Sequence, residues 1–179
     1  MDVSTSPDPV DDPKAYQDHI LSFLGDDDPA EAQVGSIEAW RAIVAEAGEL
    51  AAVRPEPPEW SVIECLGHAI DAEIVATARY RWILAHDEPE LMGYDQDLWV
   101  DALHAGRNED PEVLSELFES LRRANLALWA RSSEEDRARV GIHAERGRES
   151  YELVFRMIAG HDRFHLAQAR RALEAVPGG

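Results

Sequence analysis

Cysteine and lysine are almost missing from this 179-residue chain, and so is any long apolar run. Cys65 stands alone, so no intrachain disulfide can form and a reducing compartment is expected. Lys14 is the single lysine; every other basic residue is arginine. Positive charge is scarce altogether: 17 basic residues face 36 acidic ones, a net charge of -19. A surface this negative repels phosphate backbones and anionic bilayers, which argues against nucleic acid or membrane as a partner. No stretch of about 18 apolar residues occurs, so no membrane-spanning helix is expected. The opening MDVSTSPDPVDDPK has neither the basic nor the apolar region of a signal peptide, and a cytoplasmic protein is the expectation. Strand-like alternation never persists for more than a few residues, and there is no internal repeat.

What is present is helical. Hydrophobic residues make up 45% and charged residues 30% of the chain, an ordinary globular balance. A chain of this length buries roughly 70% of its unfolded surface, so it needs no metal or disulfide staple to fold. Any metal is therefore expected to be functional. Residues 1–11, rich in Pro, Asp and Ser, are expected to form an acidic tail, and residues 12–179 a single domain. Asp12-Pro13, Asp28-Pro29 and Asp110-Pro111 each read as a cap followed by proline at the first helical position. The first opens a short helix that Gly25 ends. After the second, Ile37, Trp40, Ile43, Val44, Ala47 and Leu50 fall at helical spacing until RPEPPEW at 54–60 breaks the ladder. The next helix is expected from about Glu59 to Ala85, with Trp60, Ile63, Gly67, Ile70, Ile74 and Thr77 on one face. A short helix is expected near Leu98–His104. The helix opened by Asp110-Pro111 turns Leu114, Leu117, Phe118, Leu121, Asn125 and Leu128 inward. RSSEEDRARVGIHAERGRES reads as a long polar connection, and the last helix as about Glu149 to Ala175, stopped by Pro177-Gly178-Gly179. The expected fold class is all-α: a four-helix bundle with a short extra N-terminal helix, and its long connections free it from simple up-down order.

The chemistry lies in AGHDRFHLAQAR, residues 159–170. His161 and His165 stand one helical turn apart, so their imidazoles can converge on one cation. The pair alone is equally compatible with one exposed and one hydrogen-bonded histidine. Periodicity places both on the strip of Val154 and Ile158, which faces inward. Neutral imidazoles buried there need partners, and a metal supplies them. A third ligand must come from another helix, and His68 is the best placed. His19, His86, His104 and His143 are expected at the surface. Three histidines leave coordination positions open, which suits catalysis. Glu64 and Asp71, near His68 in sequence, could orient the rings or be solvated charges. Cys65 could be a soft fourth ligand, though core filler is the commoner role of a lone helical cysteine. Asn125 could touch a substrate or make a buried polar contact. Tyr94, Asp95 and Trp99 are expected in a loop over one end of the bundle, and Arg163 and Arg170 as surface charges.

These segments resemble the DinB-like superfamily, including its YfiT-like members. The resemblance spans about residues 14–172. Its carriers are LGDDDP (24–29), WSVIECLGHAIDAE (60–73), GYDQDLW (93–99) and GRESYELVFRMIAGHDRFHLAQ (147–168). The resemblance implies an up-down-down-up four-helix bundle, often a homodimer, with a divalent metal held by His68, His161 and His165. It also implies thiol S-transfer with a low-molecular-weight thiol and a small electrophile; other members are named as metal-dependent hydrolases. The expected function is accordingly metal-dependent thiol transfer, with hydrolysis as the alternative. A non-enzymatic dimeric module is the third reading, its interface drawn from Trp40, Trp60, Trp82, Trp99 and Trp129. Zinc is the expected ion on availability. Nickel, copper and iron suit imidazole equally, and manganese is a further candidate.

Overall fold

The three Asp-Pro pairs act as their sequences suggest. In the computed structural model, which describes Pro7 and residues 10–176, each aspartate caps the helix that its proline opens. Asp12 accepts from Ala15 N at 3.1 Å and starts α1, Pro13–Leu24. Asp28 accepts from Ala30 N at 2.8 Å and starts α2, Pro29–Ala47. Asp110 accepts from Glu112 N at 2.9 Å and starts α5, Pro111–Ala130. Between them lie α3, Val62–Ala85, and the short α4, Gln96–Trp99, which runs into a π-helical turn at Val100–His104. The α3 helix begins at Val62, not Glu59, because Ser61 and Glu64 form a reciprocal capping box. Then follow α6, Glu134–Ala138, and α7, Tyr151–Ala175. The expected tail at 1–11 lies outside the described residues except for Pro7, Val10 and Asp11; the stop at 177–179 lies outside them too.

Helices α2, α3, α5 and α7 form the four-helix bundle, and α1 packs on the outside of α7. The α7 helix lies against α2 and α3, and α5 lies against the same two, while α2 and α3 meet only weakly across the diagonal. The long connection 86–110 lets α5 run the same way as α3, giving the up-down-down-up order. Gly160 makes the α1 contact possible: a Cβ there would sit 2.2 Å from the Ile20 carbonyl oxygen. No helix is long and apolar enough to cross a membrane among the described residues.

The core has two apolar ends with a polar layer between them. One end gathers Trp40, Leu66, Ile70 and Phe118; the other gathers Tyr80, Ile83, Tyr151 and Phe155, with Trp129 stacked 4.0 Å from the Phe155 ring. Between them on α3, α5 and α7 sit Glu73, Arg122, Asn125 and Asp162, all buried.

Three expectations differ from the structure. The segment after α5 is not simply a polar connection. Strands β2, Val140–His143, and β3, Gly147–Ser150, form an antiparallel hairpin, and β1, Glu90–Leu91, adds to β2 in parallel. Strands of two to four residues are too short for alternation to register in sequence. Leu117 does not face inward but is 41% exposed, because Leu114, Phe118, Arg122, Asn125 and Trp129 occupy the inner stripe of α5. Ile74, expected on the inner face of α3, is exposed as well.

Candidate metal centre

The middle of α3 is buried on every side, which places His68 in the interior facing α7. One turn of α7 presents His161 and His165 to it. The three rings meet: their centroids are 4.9 Å (68–161), 4.5 Å (68–165) and 4.3 Å (161–165) apart. Each offers a ring nitrogen, and the three nitrogens lie within 4.8 Å of one another. His68 Nε2 and His161 Nε2 are 3.0 Å apart. Ligands of a tetrahedral zinc at ~2.0–2.1 Å stand roughly 3.3 Å from each other, so this spacing is close to that of a chelate.

The electrostatics favour a cation. Burial drives all three imidazole pKa values well below the usual histidine range. The neighbouring histidines push in the same direction, so the rings are neutral at neutral pH and their lone pairs are free. His165 Nδ1 lies 2.8 Å from Gln168 Oε1. An amide oxygen only accepts, so Nδ1 carries the proton and Nε2 is the ligand nitrogen. His68 Nδ1 and His161 Nδ1 are buried without a hydrogen-bond partner among the described residues. Three neutral imidazoles with converging nitrogens are a donor set that zinc, nickel, copper or iron can take.

The residues that could have supported the rings are engaged elsewhere. Glu64 accepts from Ser61 N at 2.7 Å and from Arg54 Nε at 2.9 Å, so its carboxylate closes the cap of α3. Asp71 binds His104 Nε2 at 3.0 Å. Cys65 is core, packed among the apolar residues of the bundle end, and it is not among the three grouped ligands. Asn125 makes the buried polar contact, donating to Glu73 Oε1 at 2.8 Å and to Thr77 Oγ1. Arg163 and Arg170 pair with Asp27 and Glu46, toward the outside. His19 is half-buried against Phe23 and Phe164, while His86 is exposed as expected.

Two histidines expected at the surface are buried. His104 is 7% exposed, and its ring fills the space beside Gly67, where a Cβ would come within 2.5 Å of Nδ1. It joins Asp71 on one side and Glu109, at 2.9 Å, on the other, which raises its pKa. His143 lies at the end of β2, where burial and then Arg146 and Arg79 push its pKa down to about 4.

Trp60 stacks on His165 with centroids 5.9 Å apart and lies 5.1 Å from His68. Tyr94, itself backed by Trp99 at 4.6 Å, lies 6.4 Å from His68. Beside His161 opens a cavity of about 610 Å³, walled by Tyr16, Arg79, Tyr94, His143 and Met157. The sequence reading missed Arg79 and His143 as cavity residues, and it missed Gln168 as the group that fixes the His165 tautomer. It also missed Asp162, which follows His161 and is clamped by Arg122 through Nη1 and, at 3.2 Å, through Nη2. A charged residue on the inner stripe of α5 was the available signal for Arg122.

Comparison with known proteins agrees with this geometry. The family model of the DinB superfamily matches residues 36–169. A protein of Oceanobacillus iheyensis named "Putative metal-dependent hydrolase OB0413" is 24% identical over 119 residues, 66% of this chain and 68% of that protein. The fold is also that of YfiT from Bacillus subtilis, with a TM-score of 0.70 at 17% identity, covering 89% of this chain and 86% of the other. The YfiT structure is described as a probable metal-dependent hydrolase with an unusual four-helix bundle topology.

Proposed function

The chain belongs to the DinB superfamily, and from that premise we propose that it is a metal-dependent hydrolase of a small substrate, with His68, His161 and His165 as the metal ligands. The observation that carries this reading is the meeting of three neutral, buried imidazoles at the wall of a cavity large enough for a small molecule. A divalent ion in that position supplies Lewis acidity: it polarises a carbonyl and brings the pKa of water or a thiol toward neutrality. The protein's own residues supply the rest. Gln168 holds His165 in the tautomer that presents Nε2. Arg122, through Asp162, fixes the rotation of α7 next to His161. Trp60 covers the histidines with an apolar face, which limits water on that side. Zinc is the proposed ion, and a homodimer the proposed assembly.

Thiol transfer is the second use of the same centre. Cys65 cannot supply the sulfur: burial pushes its thiol pKa up, away from thiolate formation. The nucleophile would be a free small thiol entering the cavity. The experiment takes protein purified without a histidine tag and loaded with zinc, nickel or manganese. One arm offers esters and amides, the other a thiol with an electrophile. Hydrolysis that chelator abolishes, that metal restores and that His161→Ala lacks is the expected result. Turnover only in the thiol arm would replace hydrolysis by transfer. Stoichiometric metal with no turnover in either arm would overturn the enzymatic reading.

A further inference from the structure

Arg79 is a buried cation with no carboxylate in hydrogen-bond contact among the described residues; Glu149, which holds Arg146, acts on it only through space. It is 8% exposed, on the α3 wall of the cavity that His161 borders. Its Nη2 donates to the Met92 carbonyl at 2.5 Å and faces His143 Nε2 at 3.1 Å. Its Nε is buried with no acceptor, and Nη1 has no hydrogen bond among the described residues. No described carboxylate pairs with it. The neighbouring Arg146 differs, since Glu149 holds it through Nε at 2.5 Å and Nη2 at 3.2 Å. Burial, and then Arg146, lower the Arg79 pKa, and Glu149, Tyr94 and Tyr80 oppose them only in part.

Two phenols share the cavity with this guanidinium and lie within its electrostatic reach. Tyr16 and Tyr94 line the same cavity, and neither hydroxyl has a hydrogen-bond partner among the described residues. The cavity wall thus carries a buried guanidinium whose Nε lacks an acceptor, together with two half-buried phenols. Proteins rarely leave buried donors unmatched, and arginine with hydroxyls matches a planar oxyanion well. The charge count favours a monoanion. Arg146 is already neutralised, and Asp95, Asp97 and Glu145 at the cavity's exposed edge would repel a dianion such as a phosphate monoester.

We propose that Arg79, with the Tyr16 and Tyr94 hydroxyls, forms a carboxylate subsite, so that the substrate acted on at the histidine centre is a small carboxylic acid held by its anionic end. The proposal rests on the reading of this cavity as the substrate site of a hydrolase. The carboxylate selects and orients; Arg79 is a binding residue and takes no part in proton transfer.

The test measures binding by isothermal titration at low salt, with 3-phenylpropionate and its neutral amide as probes, on zinc-loaded and on chelator-treated full-length protein. Wild type should bind the acid at least tenfold more tightly than the amide in both states. Arg79→Gln should lose that preference. Arg79→Lys should keep part of it, and Tyr94→Phe should weaken it severalfold. Circular dichroism melts of each variant identify any that fail to fold; the wild-type comparison and Tyr94→Phe decide the matter without them. Equal binding of acid and amide to wild type, or no binding of either, overturns the subsite. So does an acid preference that vanishes with the metal but survives Arg79→Gln, since the anion then sits on the ion. Hydrolysis is assayed separately on esters with and without a free carboxylate. Acid-selective binding without turnover sinks the hydrolase reading alone, and turnover blind to the carboxylate sinks the subsite alone.

Discussion

Replacing Arg122 by methionine should damage this fold more than most single substitutions. The guanidinium is 0% exposed and lies between two buried acids. Nη2 donates to Glu73 Oε2 at 2.8 Å and Asp162 Oδ1 at 3.2 Å, and Nη1 donates to Ser36 Oγ at 2.9 Å and to the second Asp162 oxygen. Its plane lies over the Phe118 ring at 4.7 Å. Burial alone would lower the arginine pKa, but the two carboxylates more than reverse this and raise it. Methionine preserves much of the volume and removes the charge, leaving Glu73 and Asp162 facing each other in a dry interior. Removing one partner of a buried ion pair costs about 3–5 kcal/mol. For a domain of this size that is roughly 6–20 °C in melting temperature, at ~2–4 °C per kcal/mol. Urea denaturation of metal-free protein at several pH values provides the assay. Burial already raises the Asp162 pKa above the unfolded value of ~4 against the opposing pull of Arg122, and losing the guanidinium raises it further, so the folded variant takes up protons more readily. Its deficit relative to wild type should therefore shrink as the pH falls toward that raised pKa. Arg122→Met combined with Glu73→Gln and Asp162→Asn should recover part of the loss. A deficit below about 1 kcal/mol that does not change with pH would refute the reasoning.

Other expectations are as direct. His104 is raised by Asp71, and then by Glu109 against the opposing effect of burial. Its folded pKa therefore exceeds the unfolded ~6.5, its contribution to stability is complete below that pH, and it is lost as the pH rises through the folded value. A histidine NMR titration should show a midpoint above 6.5, and a midpoint at or below it would count against the clamp. Gly160→Ala forces a Cβ to 2.2 Å from the Ile20 carbonyl and should cost about 1–3 kcal/mol as α1 retreats from α7. An unchanged melting curve would mean that α1 does not dock as described. Gln168→Leu removes the acceptor of His165 Nδ1 and should weaken metal affinity by about 10–100-fold. Competition against a chromogenic chelator reads this, and unaltered affinity would mean that the tautomer is not held by Gln168.

Legibility in the sequence followed the range of the interaction. Asp-Pro starts, the 54–60 breaker and the histidine spacing are local, and each lay where its pattern indicated. His68 was reachable because it sits in the middle of a long helix, beside its apolar positions. His104 and His143 were not. The burial of His104 depends on a π-helical turn that swings it into the gap beside Gly67, and that of His143 on a hairpin of two four-residue strands. The sequence left open whether Glu64 and Asp71 support the rings or are solvated, for a similar reason: proximity to His68 said nothing of Arg54, ten residues before Glu64, or of His104, 33 residues after Asp71. The Arg122 network joins four helices through side chains 40, 49 and 86 residues apart, a distance no periodicity reports.

His68, His161 and His165 are proposed to hold one ion between α3 and α7. Elemental analysis of protein purified without a histidine tag, beside His68→Ala and His161→Ala prepared identically, tests it most directly. The account predicts about one divalent ion per chain in the wild type and nearly none in either variant. Equal metal in all three preparations, or none in the wild type after zinc loading and desalting, would contradict it.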